Sequence, residues 1–268
     1  RVLGAKEFRD EIALLVRDHN SGDKPITDEQ KLLRISLHFD PYSATSIDDY
    51  EALKEQISRV NVAGILAREL EKTRIDSVLA KKAIDALRAV ENEKRRDILA
   101  ELMKPDNLST LAPVFTRLLI VLRDIYPELN VDTQDVIDSA LERLIITDSY
   151  LTTLDLNLAY VIQVLRHRST AEKEKLFVRL FRKAEPLVRR EIILAMAEWG
   201  HTHWLRDQKR HFSGFSTWER RSFIVSSYFL GDEGSHWRQQ QKISFDPCEK
   251  IVVSWFSNRF QADKSVPR

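Results

Sequence analysis

Two pairs of adjacent arginines carry the clearest chemical signal in this sequence. Arg189 and Arg190 form one pair, and Arg220 and Arg221 form the other. A guanidinium group suits phosphate because it presents several N–H donors in a rigid fork. Each pair lies near the start of a predicted helix, where the helix dipole disfavours cations, so we expect these side chains to have specific partners.

Further basic and aromatic residues follow in the same part of the sequence. Together with the two pairs, the candidates for a phosphate-binding ridge are Arg206, Lys209, Arg210, Arg238 and Lys242, with Trp204, Trp218 and Trp237 as surfaces on which bases can stack. The alternative is structural: the arginines pair with acidic residues of neighbouring helices, and the tryptophans fill the core. The sequence leaves both interpretations open.

A shorter motif lies in RDQKRH (206–211), where Arg206 and His211 are separated by four residues. This spacing resembles the Arg-x4-His motif of HEPN-type ribonucleases. The resemblance implies that the arginine steadies the phosphate and the histidine moves a proton at the 2′-hydroxyl, with two copies meeting in a dimer. Because so short a pattern arises easily by chance in an arginine-rich chain, metal-independent ribonuclease activity is the third hypothesis.

The remaining reactive residues form no recognisable site. His201 and His203 are two residues apart, and on a helix such side chains diverge, unlike an i, i+4 pair that shares a metal ion. Cys248 is expected to be half-buried in the first turn of a helix, and GDEG (231–234) lacks the further carboxylates of a calcium loop. No phosphate loop, dinucleotide fingerprint or nucleophile elbow occurs. The sequence therefore predicts no cofactor, no metal and no catalytic residue.

Helices must position the basic side chains, because the composition is that of an all-α protein. Only 7 Gly and 8 Pro occur in 268 residues, and charged residues make up 31%, a balance that fits amphipathic helices better than turn-rich β folds. Apolar residues at helical spacing predict successive helices, including a continuous one over 108–125. The predicted N-caps are Thr27 and Asp76, and the predicted stops are Pro105 and Pro127.

An internal repeat indicates how the helices are organised. Residues 187–200 align with 218–231 at an offset of 31, with the arginine pair, an apolar run and a closing glycine in matching places, and a second helix that opens with tryptophan follows. A two-helix period of this length is typical of α-solenoids. The predicted fold is an all-α, right-handed α-solenoid of HEAT-like helical hairpins over 46–268, preceded by a small N-terminal helical region, a thumb-like connector, over 1–45.

Positive charge is concentrated towards the C-terminal end. The net charge is +1, but residues 1–160 contain 22 Lys and Arg against 29 Asp and Glu, whereas residues 161–268 contain 20 against 12. A basic part of this kind suggests a polyanion or an acidic protein surface as partner. Because no long apolar span or export signal occurs and Cys248 is the single cysteine, the sequence predicts a cytoplasmic protein with no membrane partner.

A family resemblance is carried by two long stretches, FDPYSATSIDDYEALKEQISRVNVAGILARELEKTRID (39–76) and WERRSFIVSSYFLGDEGSHWRQQQKISFDPCEKIVVSWF (218–256). They resemble the helical region that follows the polymerase core in bacterial reverse transcriptases of the unclassified and abortive-infection groups, which are associated with defence against phage. The resemblance implies a helical-repeat segment that binds template or product, RNA or DNA, and supports homo-oligomer assembly beside a polymerase core in the same polypeptide.

The polymerase motif itself does not occur in this sequence. Such enzymes resemble other polymerases in a Tyr/Phe-x-Asp-Asp motif whose aspartates hold two metal ions, and the Asp pair of SIDDY (46–50) has no apolar strand around it. The chain begins with Arg1 rather than methionine, which suggests a piece of a longer protein. We therefore expect a non-catalytic C-terminal accessory segment of a reverse transcriptase, an RNA-directed DNA polymerase, in anti-phage defence. A protein-interaction α-solenoid is the alternative.

Overall fold

The computed structural model describes residues 27–38 and 54–229. Within these two ranges every regular element is a helix and no strand occurs, which confirms the all-α class. No helix in them is both long and apolar enough to cross a membrane. The predicted boundary between residues 45 and 46 lies outside the described residues, and so do Arg238, Lys242, Trp237, Cys248 and the GDEG turn.

The elements are short helices joined by short connections. The α-helices are, in chain order, α1 (Asp28–His38), α2 (Val62–Leu70), α3 (Ser77–Ala86), α4 (Asn92–Leu102), α5 (Pro105–Thr110), α6 (Phe115–Ile125), α7 (Val131–Ile146), α8 (Asp155–Leu165), α9 (Ala171–Phe181), α10 (Pro186–Glu198), α11 (Thr202–Gln208) and α12 (Thr217–Phe229). A further helical segment covers 54–58, and 3-10 segments cover Ala112–Val114, Tyr126–Glu128, Tyr150–Thr152 and Lys209–Gly214.

Side chains cap the helices where the sequence predicts it. The Asp76 side chain accepts hydrogen bonds from the backbone N–H groups of Val78, at 2.9 Å, and Leu79, at 3.1 Å. At the start of α1, Gln30 N–H donates to the Thr27 hydroxyl at 3.4 Å, while Thr27 N–H donates to the Gln30 side chain at 3.0 Å. Both predicted N-caps are confirmed, and each one satisfies N–H groups that have no partner within the helix.

The prolines end helices, and one of them does so where the sequence analysis predicts a continuous helix. Helix α4 ends before Pro105, and α6 ends before Pro127, as predicted. The single helix expected over 108–125 is wrong: α5 ends at Thr110, and a 3-10 turn containing Pro113 separates it from α6. Proline has no N–H to donate, and its ring clashes with the preceding turn, so an α-helix does not continue through it.

Gly200 ends α10 in the left-handed backbone conformation that glycine adopts most readily. Its φ is 78°, its N–H donates to Ala197 O at 3.0 Å, and His201 N–H donates to Met196 O at 2.9 Å. This pair of bonds is a Schellman motif, which satisfies the last carbonyl groups of the helix. The predicted glycine stop is therefore confirmed at this position.

The chain divides into two compact units, Arg1–Tyr160 and Val161–Arg268, which we call the first and second units. In the first unit α1, α2 and α6 pack on α3, and α4 packs on α7. The division falls within residues 156–165, which contain no charged side chain and separate an acidic from a basic part of the sequence: the first unit has a formal net charge of −7 and the second of +8, from the counts given above. Within the described part of the second unit, residues 161–229, 14 Lys and Arg stand against 7 Asp and Glu.

Helices α10 and α12 form the main packing contact of the second unit. Both contain 13 residues, and their starts are 31 residues apart, as the aligned repeat predicts. Their burial patterns also match, with Ile192 and Ile193 buried like Phe223 and Ile224. The same interval separates the starts of α8 and α10, and those of α9 and α11, which extends the period towards the N-terminus.

Candidate nucleic-acid interface

Arg189, the first arginine of the α10 pair, forms an ion pair within the second unit. Its Nε lies 2.7 Å from Oε1 of Glu219 on α12, whose carboxylate is 0% exposed. The guanidinium carbon also lies 5.9 Å from the ring centroid of Phe181. Arg189 therefore agrees with the structural alternative, in which the arginines pair with acidic residues of neighbouring helices: its ion pair joins α10 to α12.

Glu219 is held in place by the start of its own helix. Ser216 N–H donates to Glu219 Oε2 at 2.7 Å, and Glu219 N–H donates to the Ser216 hydroxyl at 3.3 Å. This reciprocal pair is a capping box. This role of Glu219 was not predicted, although the Ser-x-x-Glu spacing in STWE is the sequence signal of a capping box.

Arg190 and Arg221 lie beside the same exposed indole. Their guanidinium carbons are 5.6 Å and 5.1 Å from the ring centroid of Trp218, and Trp218 is 57% exposed. Arg190 is anchored by the buried Glu191, with 2.9 Å between Nη2 and Oε1. The second oxygen of Glu191 accepts a hydrogen bond from Arg166 at 3.1 Å. We call Arg190, Trp218 and Arg221 the Trp218 cluster.

Arg220 contacts the connection between α11 and α12. Its Nη2 donates to Ser213 O at 2.6 Å, and its guanidinium carbon lies 5.8 Å from the ring centroid of Phe212. The four repeat arginines therefore separate into two groups: Arg189 and Arg220 hold internal contacts, and the other two flank Trp218.

The next three predicted basic residues are exposed on α11 and the 3-10 segment that follows it. These are Arg206, Lys209 and Arg210. Arg206 and His211, the two residues of the Arg-x4-His motif, are both exposed, but the first lies in the α-helix and the second in the 3-10 segment. No observation tests cleavage chemistry for this pair, so the ribonuclease hypothesis stays a prediction.

Two other tryptophans pack inside the second unit. Trp199 stacks on Phe177 with ring centroids 5.1 Å apart, and its Nε1–H donates to Arg166 O at 2.7 Å. Trp204 meets Phe181 edge to face, with centroids 5.1 Å apart. Trp204, predicted as a stacking surface for bases, therefore already contacts a phenylalanine of its own unit.

The neighbouring histidines take separate acidic partners. His201 Nε2 lies 3.0 Å from Glu174 Oε1, and His203 Nδ1 lies 3.4 Å from Asp207 Oδ2. Within residues 27–38 and 54–229, no group of three or more His, Cys, Asp or Glu side chains is placed to hold a metal ion. The groups that the described structure does bring together are guanidinium groups and an indole, which bind anions and flat rings.

Comparison with known protein families, curated proteins and solved structures finds no match to this chain. The reverse-transcriptase resemblance is therefore carried by the two sequence stretches alone.

Proposed function

We propose that this chain is a non-catalytic helical-repeat segment that binds nucleic acid through its second unit. The observation that carries the proposal is the coincidence of the charge boundary with the unit boundary, which gives the second unit a formal charge of +8. A folded unit with this excess attracts a polyanion, and phosphate neutralisation by Lys and Arg supplies most of non-specific nucleic-acid affinity. The family resemblance supports a place for the segment beside the polymerase core of a defence-type reverse transcriptase.

The phosphate contacts are assigned to fewer side chains than the sequence predicts. Arg189 and Arg220 stabilise the packing of the second unit. Arg206, Lys209 and Arg210 are exposed, and exposed cations are the side chains that contact phosphate without a large cost of desolvation. Among the described residues, we therefore assign phosphate binding to these three and to the two arginines of the Trp218 cluster; Arg238 and Lys242 lie outside the described residues and stay predictions.

The finer fold that we propose is a solenoid of HEAT-like hairpins. Two observations support it: helix starts recur at equal intervals of 31 residues, and α10 and α12 bury matching positions. In repeat proteins each hairpin buries its apolar face against its neighbours, and the stacked hairpins form an extended surface suited to long ligands.

A charge-matched set of variants tests the function. The test variant is Arg206→Ala/Lys209→Ala/Arg210→Ala, and the control, Arg74→Ala/Lys81→Ala/Arg143→Ala, removes three exposed positive charges from the first unit. Filter binding to single-stranded DNA and RNA 20-mers should show a rise in Kd of about tenfold or more for the test variant, and little change for the control. Equal Kd values for the two variants would contradict the assignment.

A second candidate function is protein interaction, including association between copies of this chain. It is favoured by four large apolar residues of the first unit, each more than half exposed: Ile146, Tyr150, Leu154 and Leu156. These four residues lie within eleven positions of the chain, and contiguous exposed apolar surface marks interaction sites. The acid-paired Arg189 and Arg190 agree with this alternative. Sedimentation equilibrium of the chain and of Ile146→Ser/Leu154→Ser tests it. The alternative predicts an oligomer that the double substitution dissociates, whereas a monomer in both cases contradicts self-association.

A further inference from the structure

We infer that Trp218 is a stacking site for an unpaired base, so that the second unit prefers single-stranded nucleic acid to duplex. This inference rests on the proposed nucleic-acid binding and assigns a kind of substrate to one place in the second unit. The geometry that points to it is an exposed indole flanked by two guanidinium groups at 5.6 Å and 5.1 Å.

The exposure of Trp218 distinguishes it from the two tryptophans that pack internally. Trp199 stacks on Phe177, and Trp204 meets Phe181 edge to face. Trp218 is 57% exposed in the first turn of α12, where its large apolar ring remains in contact with water. Aromatic rings in that position suit flat ligands, because stacking removes apolar area from water on both partners.

The flanking arginines fix the ring and supply positive charge beside it. A guanidinium group within about 6 Å of an indole centroid is attracted by the ring quadrupole. Arg190 is itself held by Glu191, which is buried and also accepts a hydrogen bond from Arg166. Arg190 is therefore held in place before a ligand binds, which lowers the entropic cost of binding.

An unpaired nucleotide provides both groups that such a cluster recognises. Its base presents a flat face to the indole or to a guanidinium plane, and its phosphate accepts hydrogen bonds from arginine. In a duplex the faces of each base are covered by its neighbours, so stacking on Trp218 requires unpaired strand. DNA and RNA share this chemistry, and both are used in the test.

The inference is tested on the full 268-residue chain with oligonucleotides that distinguish the contribution of the bases to affinity from that of the phosphates. Fluorescence anisotropy compares dT20, rU20, an abasic 20-mer with the same number of phosphates, and a 20-base-pair duplex. The variants are Trp218→Ala, Trp218→Phe and, as a control, Val131→Ala, which removes another exposed apolar side chain. Circular dichroism confirms that each variant is folded.

The expected result is selective loss of the base-dependent affinity. Trp218→Ala should raise the Kd for dT20 and rU20 by about 10- to 100-fold, the range for loss of one stacked base, and Trp218→Phe should restore most of it. The Kd for the abasic strand should change little, and wild type should bind the duplex more weakly than dT20. Val131→Ala should leave all four values unchanged.

Two results overturn the inference and differ in what they say of the proposed function. If wild type binds all oligonucleotides but Trp218→Ala has the same effect on the abasic strand and dT20, the stacking site is wrong and nucleic-acid binding stands. If wild type binds none of the four at low salt, both the inference and the proposed function are wrong.

Discussion

Replacement of Glu219 tests how α10 and α12 are held together. The Glu219 carboxylate is 0% exposed, lies 2.7 Å from Arg189 Nε, and accepts the Ser216 N–H hydrogen bond of the capping box. Glu219→Ala removes the ion pair and one half of the capping box, the hydrogen bond from Ser216 N–H to Glu219 Oε2, whereas Glu219→Gln retains an oxygen for that hydrogen bond and removes only the charge. The backbone N–H of residue 219 can donate to the Ser216 hydroxyl in both variants. The comparison of the two variants therefore separates the two interactions.

The expected destabilisation follows from the burial of each partner. Loss of one partner of a buried ion pair costs about 3–5 kcal/mol, but Arg189 is 29% exposed, so water solvates the remaining cation and about 2 kcal/mol is expected for Glu219→Gln. The lost hydrogen bond from Ser216 N–H adds about 1 kcal/mol, which gives about 3 kcal/mol for Glu219→Ala. Arg189→Met combined with Glu219→Gln should cost less than the sum of the single changes, because the double variant leaves no uncompensated charge.

Urea unfolding followed by circular dichroism provides the measurement, and Glu185→Ala is the matched control. Glu185 precedes α10, is exposed, and makes no side-chain capping bond, so its replacement should change the free energy of unfolding by less than about 0.5 kcal/mol. If Glu219→Ala destabilises no more than Glu185→Ala, the ion pair and the cap do not hold α12 against α10.

Two further predictions concern a backbone stop and an acid-sensitive ion pair. Gly200→Ala should lower the free energy of unfolding by about 1 kcal/mol because φ is 78° there, whereas Gly214→Ala, which meets no atom within 4 Å and has no positive φ, should change it by less than half as much in the same urea assay. Partial burial raises the pKa of Glu29, but hydrogen bonds from its own backbone, Arg68 and Thr27, with the charge of Arg68, outweigh burial and lower it below the ordinary value. A lowered pKa in the folded state stabilises the protein above the unfolded-state pKa and loses that effect as pH falls. The stability difference between wild type and Arg68→Gln should therefore be a few tenths of a kcal/mol near neutral pH and shrink as pH falls; a difference that grows in acid would contradict it.

The local rules of helix formation could be predicted from the sequence. Asp76 and Thr27 cap their helices, and Gly200 ends α10 as predicted, because the capping side chain or the glycine lies within a few residues of the groups that it satisfies. The break at Pro113 could also have been predicted, since proline in a helix interior removes a hydrogen bond. Apolar residues continue at helical spacing on both sides of Pro113, so the sequence pattern alone favoured one continuous helix.

The partners of the arginines could not be predicted in the same way. Arg189 meets a carboxylate 30 positions later in the chain, and Arg190 meets the adjacent Glu191 and the ring of Trp218. A charged residue at a given helix position is compatible with solvent, with phosphate or with an internal acid. Only the packing of α10 on α12 decides among them, so the sequence alone left the arginine ridge and the structural alternative equally open.

The recurrence of the 31-residue interval before α10 was not predicted from the sequence. The starts of α8 and α9 precede those of α10 and α11 by the same 31 residues, yet neither the paired arginines nor the closing glycine recurs there. Repeats of this kind preserve which positions are buried rather than which residues occupy them.

The most direct test of nucleic-acid binding by the second unit is the dependence of Kd on salt concentration. Titration of a fluorescent single-stranded 20-mer with the wild-type chain, at several KCl concentrations, gives the slope of log affinity against log salt. Three to five phosphate contacts predict a slope of about −2 to −3.5, at roughly −0.7 per contact for single strands. An affinity that does not change with salt, or no measurable binding at the lowest concentration, would contradict the account.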